Sequence, residues 1–587
     1  MKARTLAPVL LAMTQLLAFG HRQAMAFEIC ARPAPGSTVV DPPNLRSRNG
    51  VLKVELTYRN FKAADGQEDY CYELKNGSQA PTLRVRPGDL LILRLRNRLR
   101  APARGADRSG AQAATALSSP TAEDMPAVEA PCAAAQMTPL STNLHFHGLT
   151  VPPVCHEDDV LRTFVQPGDA PFEYRIRIPA GEPPGLYWYH PHVHGYTNPQ
   201  VLGGASGALI VEGIERANSK LAGLPERTLI IRDQELLNPD AAPAKTGLIP
   251  PPPVFKDAEG DILNTGTGTG KPAKDLSINF VPVPYPDYPP AVIAVKPSER
   301  QLWRVLNASA ITYLDLQIVV NGQPQSFGVV SLDGVPINEN GMERDRILWV
   351  DHIFLPPGAR VEWIFSGVPR GAHARLITRS VDTGPAGEND PARPLASIVA
   401  SSGAGEPQLE LAPAPVPLPP SHSVWLGDVK PVRTRKLYFS ERPQDPSNPN
   451  SPTVFMITVD GQTPEPFDPR RTQPNITVHQ GDVEDWVIEN RSREMHAFHI
   501  HQVHFLLTQW DGVQVDEPFL RDIVNVPPWD GKSPRFPSVT LRMDFRDPDT
   551  VGTFVYHCHL LEHEDGGMMG TIRVLPKTGY LQGGSKN

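Results

Sequence analysis

Residues 557–568 read His-Cys-His-Leu-Leu-Glu-His-Glu-Asp-Gly-Gly-Met, a concentration of metal-binding side chains without parallel elsewhere in the chain. Cys558 stands between two imidazoles, with a further imidazole at His563 and a thioether at Met568. Cysteine, two histidines and a weak axial methionine suit copper in a blue electron-transfer site, whereas a closed zinc site has no use for the thioether. The apolar and aromatic run leading in, Gly-Thr-Phe-Val-Tyr from 552 to 556, predicts a strand. Successive side chains of a strand point to opposite faces, so His557 and His559 face one way and Cys558 the other. One short segment would then serve two metal sites joined by a few covalent bonds.

Three more groups complete the inventory: His145-Phe-His147, His190-Pro-His192-Val-His194 and His496-Ala-Phe-His499-Ile-His501. With the first segment they hold most of the 18 histidines. His499 and His501 share a strand face, and His496, three positions earlier, has the opposite parity. Parity therefore sends His496 towards Cys558 and the His-X-His pairs towards a separate cluster. Four such pairs supply eight imidazoles, too many for one mononuclear metal and about right for three.

With these motifs the chain resembles the multicopper oxidases, the family of laccases, bacterial cuprous oxidases and bilirubin oxidases. The matching residues are His-X-His-Gly (His145 to Gly148), Trp-Tyr-His-X-His (Trp188 to His192), His-X-X-His-X-His (His496 to His501) and His-Cys-His-X3-His-X4-Met (His557 to Met568). The resemblance implies a type 1 copper at His496, Cys558, His563 and Met568 and a type 2 copper at His145 and His499. It further implies a type 3 pair at His147, His190, His192, His501, His557 and His559, four copper ions in all. Met568 fits the motif spacing better than its neighbour Met569, and His194 and His504 fall outside it. Glu564 matches a family position associated with proton supply to the oxygen site, and Asp158 aligns with the acidic residue that follows the first motif. A solvated or salt-bridged carboxylate is the plainer reading of both. The implied fold is all-β, three cupredoxin-like Greek-key β-sandwich domains, and the flavour is bacterial, because His-Pro-His-X-His-Gly and His-Leu-Leu-Glu-His-Glu-Asp are similar to cuprous oxidase sequences.

A weak repeat agrees with three domains. Val85-Arg-Pro-Gly-Asp89 leads to Asn97, Val295-Lys-Pro-Ser-Glu299 to Asn307, and Val478-His-Gln-Gly-Asp482 to Asn490, each twelve positions after the valine. A second echo links only the outer copies: Gly185-X3-Tyr189-His190-X-His192 matches Gly552-X3-Tyr556-His557-X-His559. The middle copy has isolated histidines, His352 and His373, and is expected to be a spacer without copper ligands. Composition sets the boundaries at 27–215, 216–410 and 411–587, with a flexible insertion at about 101–138, a long Pro- and Gly-rich loop at 240–275 and a Pro-rich linker at 411–420. Alternating runs at 174–178 and 361–365 suggest antiparallel sandwiches.

Length, 65 prolines and 7% aromatic residues suit a loop-rich β protein of several domains rather than a disulfide scaffold. Residues 1–26, with Lys2 and Arg4 before an apolar run and Ala-Met-Ala before Phe27, look like a Sec-type signal peptide. Its removal takes the formal charge from −8 to −11, which gives no electrostatic case for nucleic acid. No other segment has the ~18 apolar residues of a membrane span. Export permits two disulfides among Cys30, Cys71, Cys132 and Cys155, and three pairings are open.

The expected function is a periplasmic or secreted monomer that takes single electrons from a small-molecule reductant, through the exposed edge of a ligating imidazole, and reduces O2 to water. Phenolic or aromatic substrates are favoured, because the 11 methionines form no cluster of thioethers for Cu(I). The alternatives are a cuprous or metal-ion oxidase in copper tolerance and a non-catalytic copper-binding protein.

Overall fold

The structure is a computed structural model that describes residues 30–63, 66–101, 132, 137–241, 254–341, 343–403, 424–448 and 450–577. The expected signal peptide, most of the 101–138 insertion and the linker at 411–420 lie outside the described residues.

Each copy of the repeat turns the chain into a strand that ends on its asparagine: Leu90–Asn97, Gln301–Asn307 and Val483–Asn490. Gly88, Ser298 and Gly481 occupy the turn with φ of 87°, 58° and 101°, a left-handed conformation that glycine adopts at least cost. The asparagine does the same work three times. Asn97 Nδ2 donates to Leu140 O and Val165 O at 2.7 and 2.8 Å, Asn307 Nδ2 to Thr312 O and Leu355 O at 3.0 Å each, and Asn490 Nδ2 to Glu494 O and Pro527 O at 2.6 and 3.0 Å. Each amide satisfies loop carbonyls that would otherwise be buried unpaired.

Six sheets result, two in each β-sandwich domain. The first core combines Leu52, Leu91 and Leu93 of a four-stranded sheet with Leu83, Tyr187 and Leu209 of a five-stranded one. The sheets are mixed rather than purely antiparallel. Val51–Lys62 runs parallel to Leu90–Asn97, Glu226–Gln234 to Gln301–Asn307, and Arg433–Pro443 to Val483–Asn490. Before each parallel partner returns, the chain visits the opposite sheet, and alternation along one strand cannot reveal that crossover.

Histidine-bearing strands occupy equivalent places in the outer domains. The first sheet runs Thr82–Val85, Gly207–Val211, Gly185–His190, His145–His147; the third domain repeats the order as Ile476–His479, Met569–Leu575, Gly552–Cys558, His496–Ile500. In the middle domain the order is Ala291–Val295, Arg393–Ala400, Ala374–Thr378, Leu314–Val320, and the last of these reads Leu-Asp-Leu-Gln-Ile-Val-Val, without histidine.

Domain contacts bury both faces of the histidine-bearing strands. Tyr187 and Tyr189 enter the first core, while Leu186 and Trp188 pack with Ile230 and Leu306 of the middle domain. Phe554, Tyr556 and Cys558 likewise join the core shared by the middle and third domains, and Val555 meets Val160 of the first. Disulfides join Cys30 to Cys71 and Cys132 to Cys155. Among the described residues no helix is long and apolar enough to cross a membrane.

Candidate metal centre

Three soft or borderline donors converge at the end of the strand Gly552–Cys558. Cys558 Sγ lies 3.6 Å from His496 Nδ1 and 3.8 Å from His563 Nδ1, and the two nitrogens are 3.2 Å apart. Met568 is fully buried in the core that holds Cys558, and its carbonyl accepts from the Cys558 N–H at 3.0 Å. Met569 points to the other face, against Val160 and Val555. Burial pushes the Cys558 thiol far above its usual range, so a thiolate there needs a cation against it.

The outer nitrogens of the two histidines are not exposed, contrary to expectation. His496 Nε2 meets Glu441 Oε1 at 2.9 Å and Ser492 Oγ at 2.7 Å, and His563 Nε2 meets Glu494 Oε1 at 3.2 Å. His496 and His563 are only 0% and 2% exposed. Phe455 stacks on the His563 ring at 4.2 Å. Burial holds His563 down at about 4, with Glu441 working against it.

On the opposite face, eight imidazoles from two domains meet in one buried cluster. His145 stacks on His501 at 3.7 Å and His147 on His499 at 3.9 Å between centroids. His557 Nε2 is 3.3 Å from both His192 Nε2 and His501 Nε2. His190 and His559 close the group, 5.9 Å apart. One nitrogen of several rings is tethered: His190 Nδ1 to Pro191 O and His557 Nδ1 to Cys558 O, both at 2.9 Å, and His499 Nδ1 to Asp522 O at 2.7 Å. The inward atoms are left over. Nε2 of His145, His147, His190 and His499, Nδ1 of His501 and both nitrogens of His559 are buried without a hydrogen-bond partner. Orphaned buried nitrogens are costly, and their convergence is what metal ions would satisfy. Burial lowers every one of these imidazoles, reinforced by mutual repulsion in all but His557; His190 falls to about 3 and His557 to about 4, which keeps them in the neutral, metal-binding form. A thiolate–imidazole triad beside an all-imidazole cluster fits copper.

Comparison with known proteins agrees. Multicopper oxidase family models match residues 136–216 and 446–578. A multicopper oxidase of Staphylococcus aureus is 25% identical over 74% of this chain and 77% of its own length, and a laccase of Haloferax volcanii is 25% identical over 77% and 70%. Among solved structures, a multicopper oxidase of Campylobacter jejuni described as a metallo-oxidase superposes with a TM-score of 0.61 at 23% identity, covering 93% of this chain and 96% of that one. A laccase-like enzyme of Ochrobactrum gives 0.59 at 18% identity, covering 92% and 100%. The chain thus carries two multicopper oxidase domains.

As such it is a copper-dependent oxidoreductase with O2 as electron acceptor. Both carboxylates singled out in the sequence lie at the imidazole cluster. Asp158 accepts from His145 Nδ1 at 2.9 Å, from the Phe146 N–H at 3.0 Å and from Gln502 Nε2 at 2.5 Å. Glu564 takes a hydrogen bond from Thr197 Oγ1 at 3.2 Å and stands 3.6 Å from His192 Nδ1 and 4.0 Å from His557 Nδ1. Burial raises the pKa of both carboxyls well above the usual range. His504 turns to Asp333 O at 3.3 Å, and His194 packs against Phe467. The middle-domain histidines stay apart, His352 pairing with Asp315 at 2.7 Å.

Sequence reasoning missed Glu441, Glu494, Asp522 and Arg360. The first two cover the outer nitrogens of His496 and His563. Asp522 and Arg360 border His147 at 3.7 and 3.3 Å. None sits in a motif, and no periodicity marks them.

Proposed function

We propose that this chain couples one-electron oxidation of phenols and aromatic amines to the four-electron reduction of O2 to two waters, using four copper ions. His496, Cys558, His563 and Met568 would hold the type 1 ion, His145 and His499 the type 2 ion, and His147, His190, His192, His501, His557 and His559 the type 3 pair. The observation that carries this reading is one strand end: Cys558 Sγ groups with His496 and His563, while the adjacent His557 and His559 belong to the imidazole cluster. Copper bound there would take single electrons from the reductant and deliver four to oxygen. An extended chain advances only ~3.3–3.6 Å per residue, so the path from Cys558 to either flanking histidine needs no mobile carrier.

The side chains divide the remaining work. Reduction of O2 consumes four protons, and Glu564, buried between His192 and His557, is positioned to relay them. Asp158 orients His145 and is the second candidate for that relay. Glu441, kept ionised beside His496, can accept the proton that a phenol or aromatic amine sheds on losing an electron. Glu441 and Glu494 together favour a second reading, oxidation of a small metal cation, because Glu441 puts negative charge beside His496 and Glu494 adds a second oxygen donor beside His563. Domain limits at 27–215, 216–410 and 411–587, export to the periplasm or beyond, and a monomeric state belong to the proposal; strands at 44–211, 226–400 and 433–575 pair only within their own domain.

Oxygen uptake by the copper-loaded protein with a phenol, Cu(I), Fe(II) or bilirubin as reductant tests the substrate class. A kcat/KM highest for the phenol supports the first reading, and a higher value for a metal ion replaces it with the second. Copper binding without uptake on any reductant would leave a non-catalytic copper protein.

A further inference from the structure

The middle domain contributes no histidine to the imidazole cluster, yet one of its side chains ends there. Arg360 opens the strand Arg360–Phe365 and is 0% exposed. Its guanidinium meets all three domains. Nε donates to Leu186 O of the first at 3.1 Å, Nη2 to Asp333 O of the middle at 2.8 Å, and the fork grips Asp522 of the third, Nη1 to Oδ1 and Nη2 to Oδ2, both at 2.7 Å. The remaining Nη1 hydrogen lies between Gly358 O at 3.4 Å and His147 Nδ1 at 3.3 Å. Asp522 continues the chain of contacts. One carboxylate oxygen is 3.7 Å from His147 Nδ1, and its backbone carbonyl accepts from His499 Nδ1 at 2.7 Å. Burial alone would weaken the guanidinium as a base, but Asp522 and Asp333 more than offset this, and it stays cationic.

Two glycines leave the room this arrangement needs. A Cβ on Gly148, the glycine of the first motif, would fall 2.4 Å from Arg360 Nη2 and 2.6 Å from Asp522 Oδ2. On Gly358 it would fall 2.8 Å from the His559 ring. Their φ values of +92° and +88° also suit glycine.

We propose that Arg360, acting through Asp522, is a positioning residue of the oxygen-reducing copper centre, so that the middle domain is part of that centre and not a spacer. The inference rests on the reading of His147 and His499 as copper ligands. Their rings stack across two domains; the Asp522–Arg360 fork borders His147, the Asp522 backbone carbonyl holds His499, and Arg360 anchors the pair in the middle domain. A bidentate guanidinium–carboxylate pair has a geometry that lysine cannot reproduce. Each partner also neutralises a charge that would otherwise be buried beside a cationic metal cluster.

Arg360→Lys, Asp522→Asn and the wild type, all loaded with copper, are compared for copper per chain, blue absorption, the type 2 electron paramagnetic resonance signal, and kcat and KM for O2. Both variants should keep the blue band while trinuclear copper affinity or turnover falls by about 10–100-fold, the range for groups that orient metal ligands. Full copper, an unchanged type 2 signal and wild-type kcat and KM in Arg360→Lys would overturn the proposal. Should that variant lose its blue band as well, the shape-preserving Asp522→Asn decides by the same criteria; if it too loses everything, the pair is a fold clamp and the proposal fails. A wild type that binds only the blue copper would instead overturn the ligand reading itself.

Discussion

At the scale of the residue, Cys558 is the position with no substitute. Its sulfur is the only thiolate donor near either cluster, the other four described cysteines being paired in disulfides. Cys558→Ser should abolish the blue absorption and the oxidase activity in a protein that still folds; a variant retaining an intense visible band would refute the assignment. Parity makes a finer prediction. His499→Ala or His145→Ala should spare the blue band and stop O2 reduction, whereas His496→Ala should damage the blue site. Equal bleaching by His499→Ala and His496→Ala would mean the two faces are not separate. Glu564 sits between His192 and His557 and outside both copper ligand sets proposed above, so Glu564→Gln should leave copper content and colour intact and slow turnover. General acid catalysis contributes ~10²–10⁴-fold, and a wild-type rate of re-oxidation by O2 would reduce Glu564 to a buried packing group.

At the scale of the element, strands are tied across the first domain boundary by charge as well as by apolar packing. Glu226, opening the strand Glu226–Gln234, accepts from Arg84 Nη2 at 2.8 Å and from Arg304 Nη2 at 3.0 Å, and Arg304 also pairs with Glu362. Burial would raise the Glu226 carboxyl, but the two arginines win and hold it at about 2 against an ordinary 4.5. The folded pKa is therefore depressed, and the stability it confers is present above about 4.5 and lost as the pH falls towards about 2. Glu226→Gln in the copper-free protein should cost about 3 kcal/mol at pH 7, a gap that closes through this window. Urea midpoints measured across it check the sign; a gap that widened on acidification would be incompatible with the pairing.

At the scale of the whole molecule, the chain is three copies of one sandwich joined so that the outer two share an imidazole cluster and Arg360 of the middle one borders it. Covalent ties are confined to the first copy. Cys30–Cys71 spans 41 residues and Cys132–Cys155 spans 23, for which chain entropy gives about 3–4 kcal/mol each. Replacing Cys30 and Cys71 by serine should lower the stability of the first domain by that order in urea, with the blue band expected of the third domain unchanged. A simultaneous loss of both would mean that the domains unfold as one unit.

Donor types, their division between two faces, the all-β class and the threefold repeat were all legible in the amino-acid sequence. These are local properties: a strand alternates with period two whatever surrounds it, and Cys558 is bonded to His557 and His559 in any fold. The twelve-residue spacing from valine to asparagine was legible for the same reason, since one turn and one strand fill it. Long-range packing instead sets which cysteines pair, mixes the sheets, lays Glu441 and Glu494 over the outer nitrogens of His496 and His563, and brings Arg360 to Asp522. Arg360 and Asp522 are 162 positions apart, and nothing periodic connects them. Contacts of that kind follow from how three finished domains pack, a sum of many small apolar burials over the whole chain, and no short window of sequence contains it.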